Sequence, residues 1–394
     1  MRTVAVVTAS RSDYGIYRPI LNRIIEGGDL RLYLMVTGMH LSPEFGLTVR
    51  GIEEDGFPIS ERIETLVSSD EPVGVAKSMA LGTLGFADVF SRFRPDILLV
   101  LGDRFEMHAA AVAALPFKIP IAHIHGGELT EGAIDDALRH SITKLSHLHF
   151  VSTEKYRQRL IQMGEEPWRV VVSGAPSLDG LRKGKLLSRR AIEKLLGFQL
   201  GDGPFLLVTL HPVTLEYEQS ESQVSELLAA LDECGLPCVF TMPNADTRGR
   251  SVNRLLADYV EQHPTSACLA ANLGTQGYFS LMALAAAMVG NSSSGITEAP
   301  SFELPVVNVG SRQTGRIKGM NVIDVKCSRA SIRRGLRKAL SEEFRASLQG
   351  MANPYQKANA SKTIVEVLGT VPLDEKLIVK RFHDSTVAVS GGSS

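Results

Sequence analysis

ILLVLGDRFEMHAAAVAALPFKIPIAHIHGGELTEGAIDDALRHSITKLSHLHFVST, residues 97–153, decides the fold. Three apolar runs, Ile97–Leu101, Ile119–Ile124 and Leu148–Ser152, have the length and continuity of strands buried on both faces of a parallel sheet. Glu106–Leu115 and Asp135–Leu145 between them read as helices, which gives the alternation of a doubly wound α/β sheet. The first run ends in Gly102-Asp103-Arg104 and the second runs into His123-Ile124-His125-Gly126-Gly127-Glu128. Open α/β sheets bind ligands beyond the carboxyl ends of their strands. This stretch therefore brings carboxylates, imidazoles and glycines to one rim.

The alternation extends outward from there. Val4–Thr8, Leu30–Val36 and Val170–Ser173 read as strands, with helices at Tyr17–Gly27 and Val73–Phe93. A second series runs through Phe205–Leu210, Gln223–Cys234, Cys238–Met242, Val252–His263, Phe279–Ala286, Met288–Gly290 and Val306–Val309. The 394 residues exceed one ordinary core. The expected organisation is two Rossmann-like domains, 1–181 and 182–355, joined near the charged, turn-rich Arg182–Gly203. A terminal helix at 356–370 would pack back on the first domain, and the tail at 371–394 would end in disorder.

The chain is 44% hydrophobic and 22% charged, with a formal net charge of −1. No global field draws it to nucleic acid or an anionic membrane. No apolar run approaches the ~18 residues of a membrane span, and the start reads as a strand and turn, not a signal peptide. Cys234, Cys238, Cys268 and Cys327 have no zinc or redox spacing. Reduced thiols and a cytoplasmic location are expected.

Several clusters carry chemistry. Ser10-Arg11-Ser12-Asp13-Tyr14-Gly15 lies between a strand and a helix, where backbone N–H groups bind anions; Ser12 or Asp13 would also serve as an N-cap. Burial at a strand end would raise the pKa of Asp103 and make it an acid or base; pairing with Arg104 is the alternative. His123 and His125 share a strand face, but a metal would need a third ligand such as Glu128, and no zinc spacing appears. Acid–base work on a sugar fits better, and no metal is expected. Asp135 and Arg139 stand at pairing distance on a helix. In the second half His211 and Asn244 follow strands. Gly290-Asn291-Ser292-Ser293-Ser294-Gly295-Ile296-Thr297-Glu298 suits a diphosphate, with Glu298 just inside a helix and facing ribose hydroxyls. Arg312 and Arg316 add guanidinium groups at another strand end.

The motifs SRSDYG, VTGMHLSPEFG, GDRFE, HIHGGE, DDALRHSITKLSHLHF, HPVT, PNAD, GNSSSGITE and GSRQTGR follow one another over roughly residues 1–370. In that order they resemble the hydrolysing UDP-N-acetylglucosamine 2-epimerases of sialic-acid and related nonulosonate biosynthesis. The resemblance implies two Rossmann-like domains in a glycosyltransferase-B arrangement, with an interdomain cleft and UDP held mainly by the second domain. It implies no metal or redox cofactor, and a homodimer or homotetramer. The implied reaction eliminates UDP to a 2-acetamidoglycal, then hydrates it to the free manno sugar. Asp103 and Asp135 match catalytic carboxylates; Arg11, Ser12 and Asp13 match the cleft turn, beside Arg104. His211, Asn244, Ser292, Ser293, Glu298 and Arg312 match nucleotide positions, with His211 near the diphosphate and counted among the catalytic candidates as well. Where better-known members read HIEGGE, His125 replaces the first glutamate. Histidine exchanges protons near neutral pH, and Glu128 is close enough to contribute a carboxylate. The change marks a subfamily acting on a modified sugar, such as a UDP-2,4-diacetamido-2,4,6-trideoxy sugar on the way to legionaminic acid. The alternatives are a non-hydrolysing epimerase, a glycosyltransferase, and a UDP-sugar binding protein without catalysis.

Overall fold

A computed structural model describes residues 1–384 other than 68, 70, 132, 182–185, 214–215, 242–248 and 271–272. The first of two parallel sheets holds β1 (Arg2–Thr8), β2 (Leu30–Thr37), β3 (Ile59–Ile63), β4 (Ile97–Leu101), β5 (Ile121–Ile124), β6 (Leu148–Val151) and β7 (Val170–Val172). Their spatial order is 3-2-1-4-5-6-7. The second holds β8 (Leu206–Thr209), β9 (Cys238–Thr241), β10 (Ala267–Ala270), β11 (Ala287–Gly290), β12 (Val306–Val309) and β13 (Val322–Val325), in the order 10-9-8-11-12-13. Each order reverses once, between β1 and β4 and between β8 and β11. A crevice opens at such a reversal, because the flanking connections leave to opposite faces.

Side-chain alternation explains why the central strands read as unbroken apolar runs. Val4, Val6 and Leu99 face one core of the first sheet, while Ala5, Val7, Leu98 and Val100 face another. The second sheet is likewise covered on both faces. Helix Ala360–Thr370 packs on helix Arg11–Gly27, and its Ile364 and Leu368 join the first sheet's core. The chain beyond it is docked as well. Arg169, fully buried, donates to the carbonyls of Lys376, Leu377 and Val379, and Lys380 Nζ donates to those of Thr143, Lys144 and Ser146 at the end of helix Asp135–Leu145.

Three expectations change. β3, β10 and β13 do not stand out in the sequence. The first helix begins at Arg11, six residues before its expected start, so SRSDYG is the helix's first turn and not a separate loop. Pro72–Arg92 is long and apolar enough to cross a membrane, although Lys77 and Asp88 break its apolar run. Its inner face packs on helix Phe105–Ala114, while Val73, Leu81 and Leu84 stay exposed.

Candidate active site

The two crevices face each other and merge into one cleft of about 640 Å³. It is lined by Arg11, Ser12, Asp13, Asp103, Arg104, His125, Glu128 and Asp135 from the first half, and by His211, Ser292, Ser293, Glu298 and Arg312 from the second. Asn244 lies outside the described residues.

On the first side the N-terminal turn is built by Asp13. Its carboxylate accepts from the amides of Ala9 and Ser10 at 2.7 and 2.9 Å, and from the Ser10 hydroxyl. This capping box puts the cap at Ser10, neither at Ser12 nor at Asp13. Asp13 thus shapes the turn, and Arg11 and Ser12 line the cleft beside it. Arg104 is held by both carboxylate oxygens of the buried Glu106, at 3.0 and 3.1 Å, and not by Asp103.

Asp103 pairs with Arg139 instead. Burial favours the protonated acid, but Arg139, Arg316 and Arg312 outweigh it and hold Asp103 below its ordinary range. The expectation of a raised pKa is therefore reversed. The reason is tertiary: the cations come from residues 36 to 213 positions further along the chain. Arg139 lies between Asp103 and Glu128, at 3.5 Å from the latter, and the charge of Asp135 one helical turn back also acts on it.

His125 sits where β5 ends, at φ +64°, a left-handed conformation sparsely populated by residues other than glycine. Its amide is held by the Phe150 carbonyl at 2.9 Å. Gly127 follows at φ +77°, where a Cβ would lie 2.8 Å from the Tyr156 carbonyl oxygen. These turns swing Glu128 back under the imidazole. His125 Nδ1 lies 2.6 Å from Glu128 Oε1, while Nε2 is buried without a hydrogen-bond partner. Burial raises Glu128, but His125, Arg316 and Arg139 hold it well below the carboxylate range. An ionised carboxylate only accepts, so Nδ1 is the donor to Glu128. His123 cannot join His125 on a metal. Its Nε2 donates to the Gly102 carbonyl at 2.7 Å, and its Nδ1 lies 3.3 Å from the Thr143 hydroxyl. Among the described residues no group of three His, Cys, Asp or Glu is placed to hold a metal ion.

On the second side Asn291 ties two loops together. Its side chain accepts from the His211 amide at 2.7 Å and donates to the His211 carbonyl at 2.8 Å. Burial, then Arg312 and Arg104, push His211 down to about 3, so its imidazole is neutral. Arg312 Nη1 and Gln313 Nε2 reach the Asn291 carbonyl. Ser292 and Ser293 open the short helix Ser294–Thr297. Glu298 stands at that helix's C-terminal end, not inside it, and burial raises its carboxyl to about 7 against the opposing hydroxyl of Ser177, which donates at 2.6 Å. Ser177 and Glu106 were not singled out as site residues. A serine just past the strand-end turn Gly174-Ala175-Pro176, and a glutamate two residues after Arg104, are the signals that could have found them.

The sequence profile described as UDP-N-acetylglucosamine 2-epimerase matches residues 22–369. A GDP/UDP-N,N'-diacetylbacillosamine 2-epimerase (hydrolyzing) of Campylobacter jejuni subsp. jejuni is 41% identical over 345 residues, 87% of this chain and 89% of that protein. A UDP-N,N'-diacetylbacillosamine 2-epimerase (hydrolyzing) of Legionella pneumophila is 38% identical over 96% of this chain and 99% of that one. The crystal structure of UDP-GlcNAc 2-epimerase from Neisseria meningitidis, bound to UDP-GlcNAc, superposes with a TM-score of 0.77 at 20% identity, covering 93% of this chain and 99% of that one.

Proposed function

This chain belongs to the UDP-N-acetylglucosamine 2-epimerase family, and from that premise we propose that it is a hydrolysing 2-epimerase of a UDP-linked 2-acetamido sugar. One observation carries the reading: an acid–base cluster at one chain reversal faces a cationic and hydroxyl-rich clamp at the other, across a single cleft. The reaction breaks the C2–H and C1–O bonds to give a 2-acetamidoglycal and UDP; water then adds across the double bond. It needs proton-transfer groups at C2 and charge stabilisation on the leaving diphosphate. Ionised Asp103 and the Nε2 of His125 are assigned to C2, Glu128 holds His125, and Asp135 adds a carboxylate at the first turn of its helix. Arg11, Ser12, Arg104, neutral His211, Ser292, Ser293 and Arg312 are assigned to the diphosphate, and Glu298 to the ribose. The two relatives named for diacetylbacillosamine support a 2,4-diacetamido-2,4,6-trideoxy sugar as substrate and a place in nonulosonate synthesis. Four free cysteines and a nucleotide-sugar substrate support a cytoplasmic location.

A homodimer is part of the same proposal. The exposed stripe of helix Pro72–Arg92 carries Lys77, Leu81, Leu84 and Asp88. Packed antiparallel about a two-fold axis, two such stripes set Leu81 against Leu84 and Lys77 against Asp88 of the second copy, so apolar surface and charge are both self-complementary.

Product NMR on a panel of UDP-sugars differing at C4 and C6 tests the activity. The expected result is UDP plus a free 2-epimerised sugar carrying solvent deuterium at C2. A product that keeps UDP, or UDP release with the original C2 configuration, refutes it. Asp103→Asn is expected to abolish turnover and still bind UDP, whereas Arg312→Ala weakens UDP binding.

A further inference from the structure

Arg316 comes from the second half, but its side chain ends in the first. Its Nε donates to the Leu129 carbonyl at 2.9 Å, and its Nη1 pairs with Glu128 Oε2 at 3.2 Å. The two oxygens of Glu128 thereby divide their work. Oε1 takes His125 Nδ1 at 2.6 Å and the Ser152 hydroxyl at 3.0 Å; Oε2 takes Arg316, with Arg139 further off at 3.5 Å. Without Arg316, among the described residues Oε2 keeps only the 3.5 Å contact with Arg139, and the carboxylate beneath the imidazole is held closely through Oε1 alone.

The segment around Arg316 is braced at both ends. At one end Arg312 and Gln313 hold the Asn291 carbonyl, and Asn291 holds the His211 loop. At the other, a Cβ on Gly315 would meet Leu129 Cδ1 and Glu131 Oε1 at 2.5 Å, and the Ile317 amide donates to the Tyr156 hydroxyl at 3.0 Å. The same seven residues, Gly310–Arg316, thus run from the diphosphate clamp to the group that orients His125.

We propose that Arg316 is a positioning residue that acts through Glu128, so that seating of the nucleotide against Arg312 and alignment of His125 Nε2 are mechanically linked. This rests on the assignment of His125 to C2 made above. A carboxylate–imidazole pair depends on angle as much as on distance, and misplacement by about 1 Å can cost about 100-fold in rate.

The test compares Arg316→Met, Arg316→Lys, Glu128→Gln and the Glu128→Gln/Arg316→Met double variant, each with its thermal melt and its UDP affinity by calorimetry. Arg316→Met is expected to lower kcat about 100-fold with KM and UDP affinity within about threefold of the parent. Arg316→Lys recovers part of the loss, and the double variant is no slower than Glu128→Gln alone, because both changes act on one carboxylate. Multiplying losses in the double variant, or a tenfold fall in UDP affinity in Arg316→Met, overturns the proposal. A second readout needs no turnover: the downfield proton resonance of His125 Nδ1–H, assigned by its absence in His125→Asn. It is expected in the UDP-bound parent and displaced or lost in UDP-bound Arg316→Met. An unchanged resonance overturns the strut even if no UDP-sugar is turned over, whereas a lost resonance in a protein that epimerises nothing supports the strut and refutes the activity.

Discussion

Gly290→Ala tests how the second crevice is built. Gly290 closes β11 opposite Thr209 of β8, at φ +131°, a conformation that residues with a Cβ rarely adopt. A Cβ there would sit 1.9 Å from the Thr209 carbonyl oxygen and 2.6 Å from its carbon. Both are backbone atoms, so no rotamer change relieves the contact, and β8 must retreat by about 1 Å. Backbone strain at such a φ costs about 1–3 kcal/mol, and overpacking against neighbouring chain a further ~1–3 kcal/mol. The expected loss is about 4 kcal/mol, a large fraction of the ~5–15 kcal/mol that holds a typical domain folded. The same shift separates His211 from Ser292, so UDP affinity falls in whatever fraction remains folded. Urea unfolding followed by circular dichroism, with UDP calorimetry on the folded protein, measures both. Gly310→Ala is the control, since its φ is +80° but nothing lies within 4 Å of the added carbon; it should cost about 1–2 kcal/mol. If Gly290→Ala is no less stable than Gly310→Ala, the close approach of β8 and β11 does not require this glycine and the reasoning fails.

Glu298 makes a pH prediction. Burial lifts its folded value from 4.5 to about 7, so between those values the folded chain holds a proton that the unfolded chain has released. Its contribution to stability is complete below pH 4.5, declines as pH rises through 7 and is flat above, about 3 kcal/mol in all. Glu298→Gln should remove this slope; unfolding free energies of parent and variant at pH 5 and pH 8 that run parallel count against it. Leu84, 65% exposed, lies near the centre of the inferred two-fold contact. Leu84→Glu should convert a dimer to a monomer in light scattering without lowering the melting temperature of the single chain by more than a few degrees. A parent that is already monomeric, or one that co-sediments with lipid vesicles through this helix, refutes the dimer.

What could be read from the sequence follows from how local each signal is. β4, β5 and β6 declare themselves because strands covered on both faces carry no alternation, and the ionisable residues that follow them are placed by chain geometry alone. β3, reading ISERI, alternates with charge, and β10 and β13 are four-residue strands at the other sheet's edges; nothing local separates them from loop. The Ser10–Asp13 capping box was there to be read, yet the polar run with Gly15 imitates a turn.

The chemistry divides the same way. That Asp103 and His125 reach a cleft is a local fact; what protonation they prefer is not. Asp103 looks like a desolvated acid until Arg139, Arg312 and Arg316 arrive from other elements and make it a firmly ionised carboxylate. A carboxylate so compensated gives up stabilisation whenever it takes a proton, which makes it a weak base. His125 faces the opposite circumstances: its Nδ1 is committed to Glu128, whose charge two arginines sustain, and its Nε2 has no competing partner in the fold. Under the proposed assignment the two groups at C2 therefore differ: His125 offers an uncommitted Nε2, whereas Asp103 takes a proton only against the pull of its arginines. On the proposed assignment, the histidine of HIHGGE places an imidazole at C2, with Glu128 beneath it held by Arg316 and Arg139.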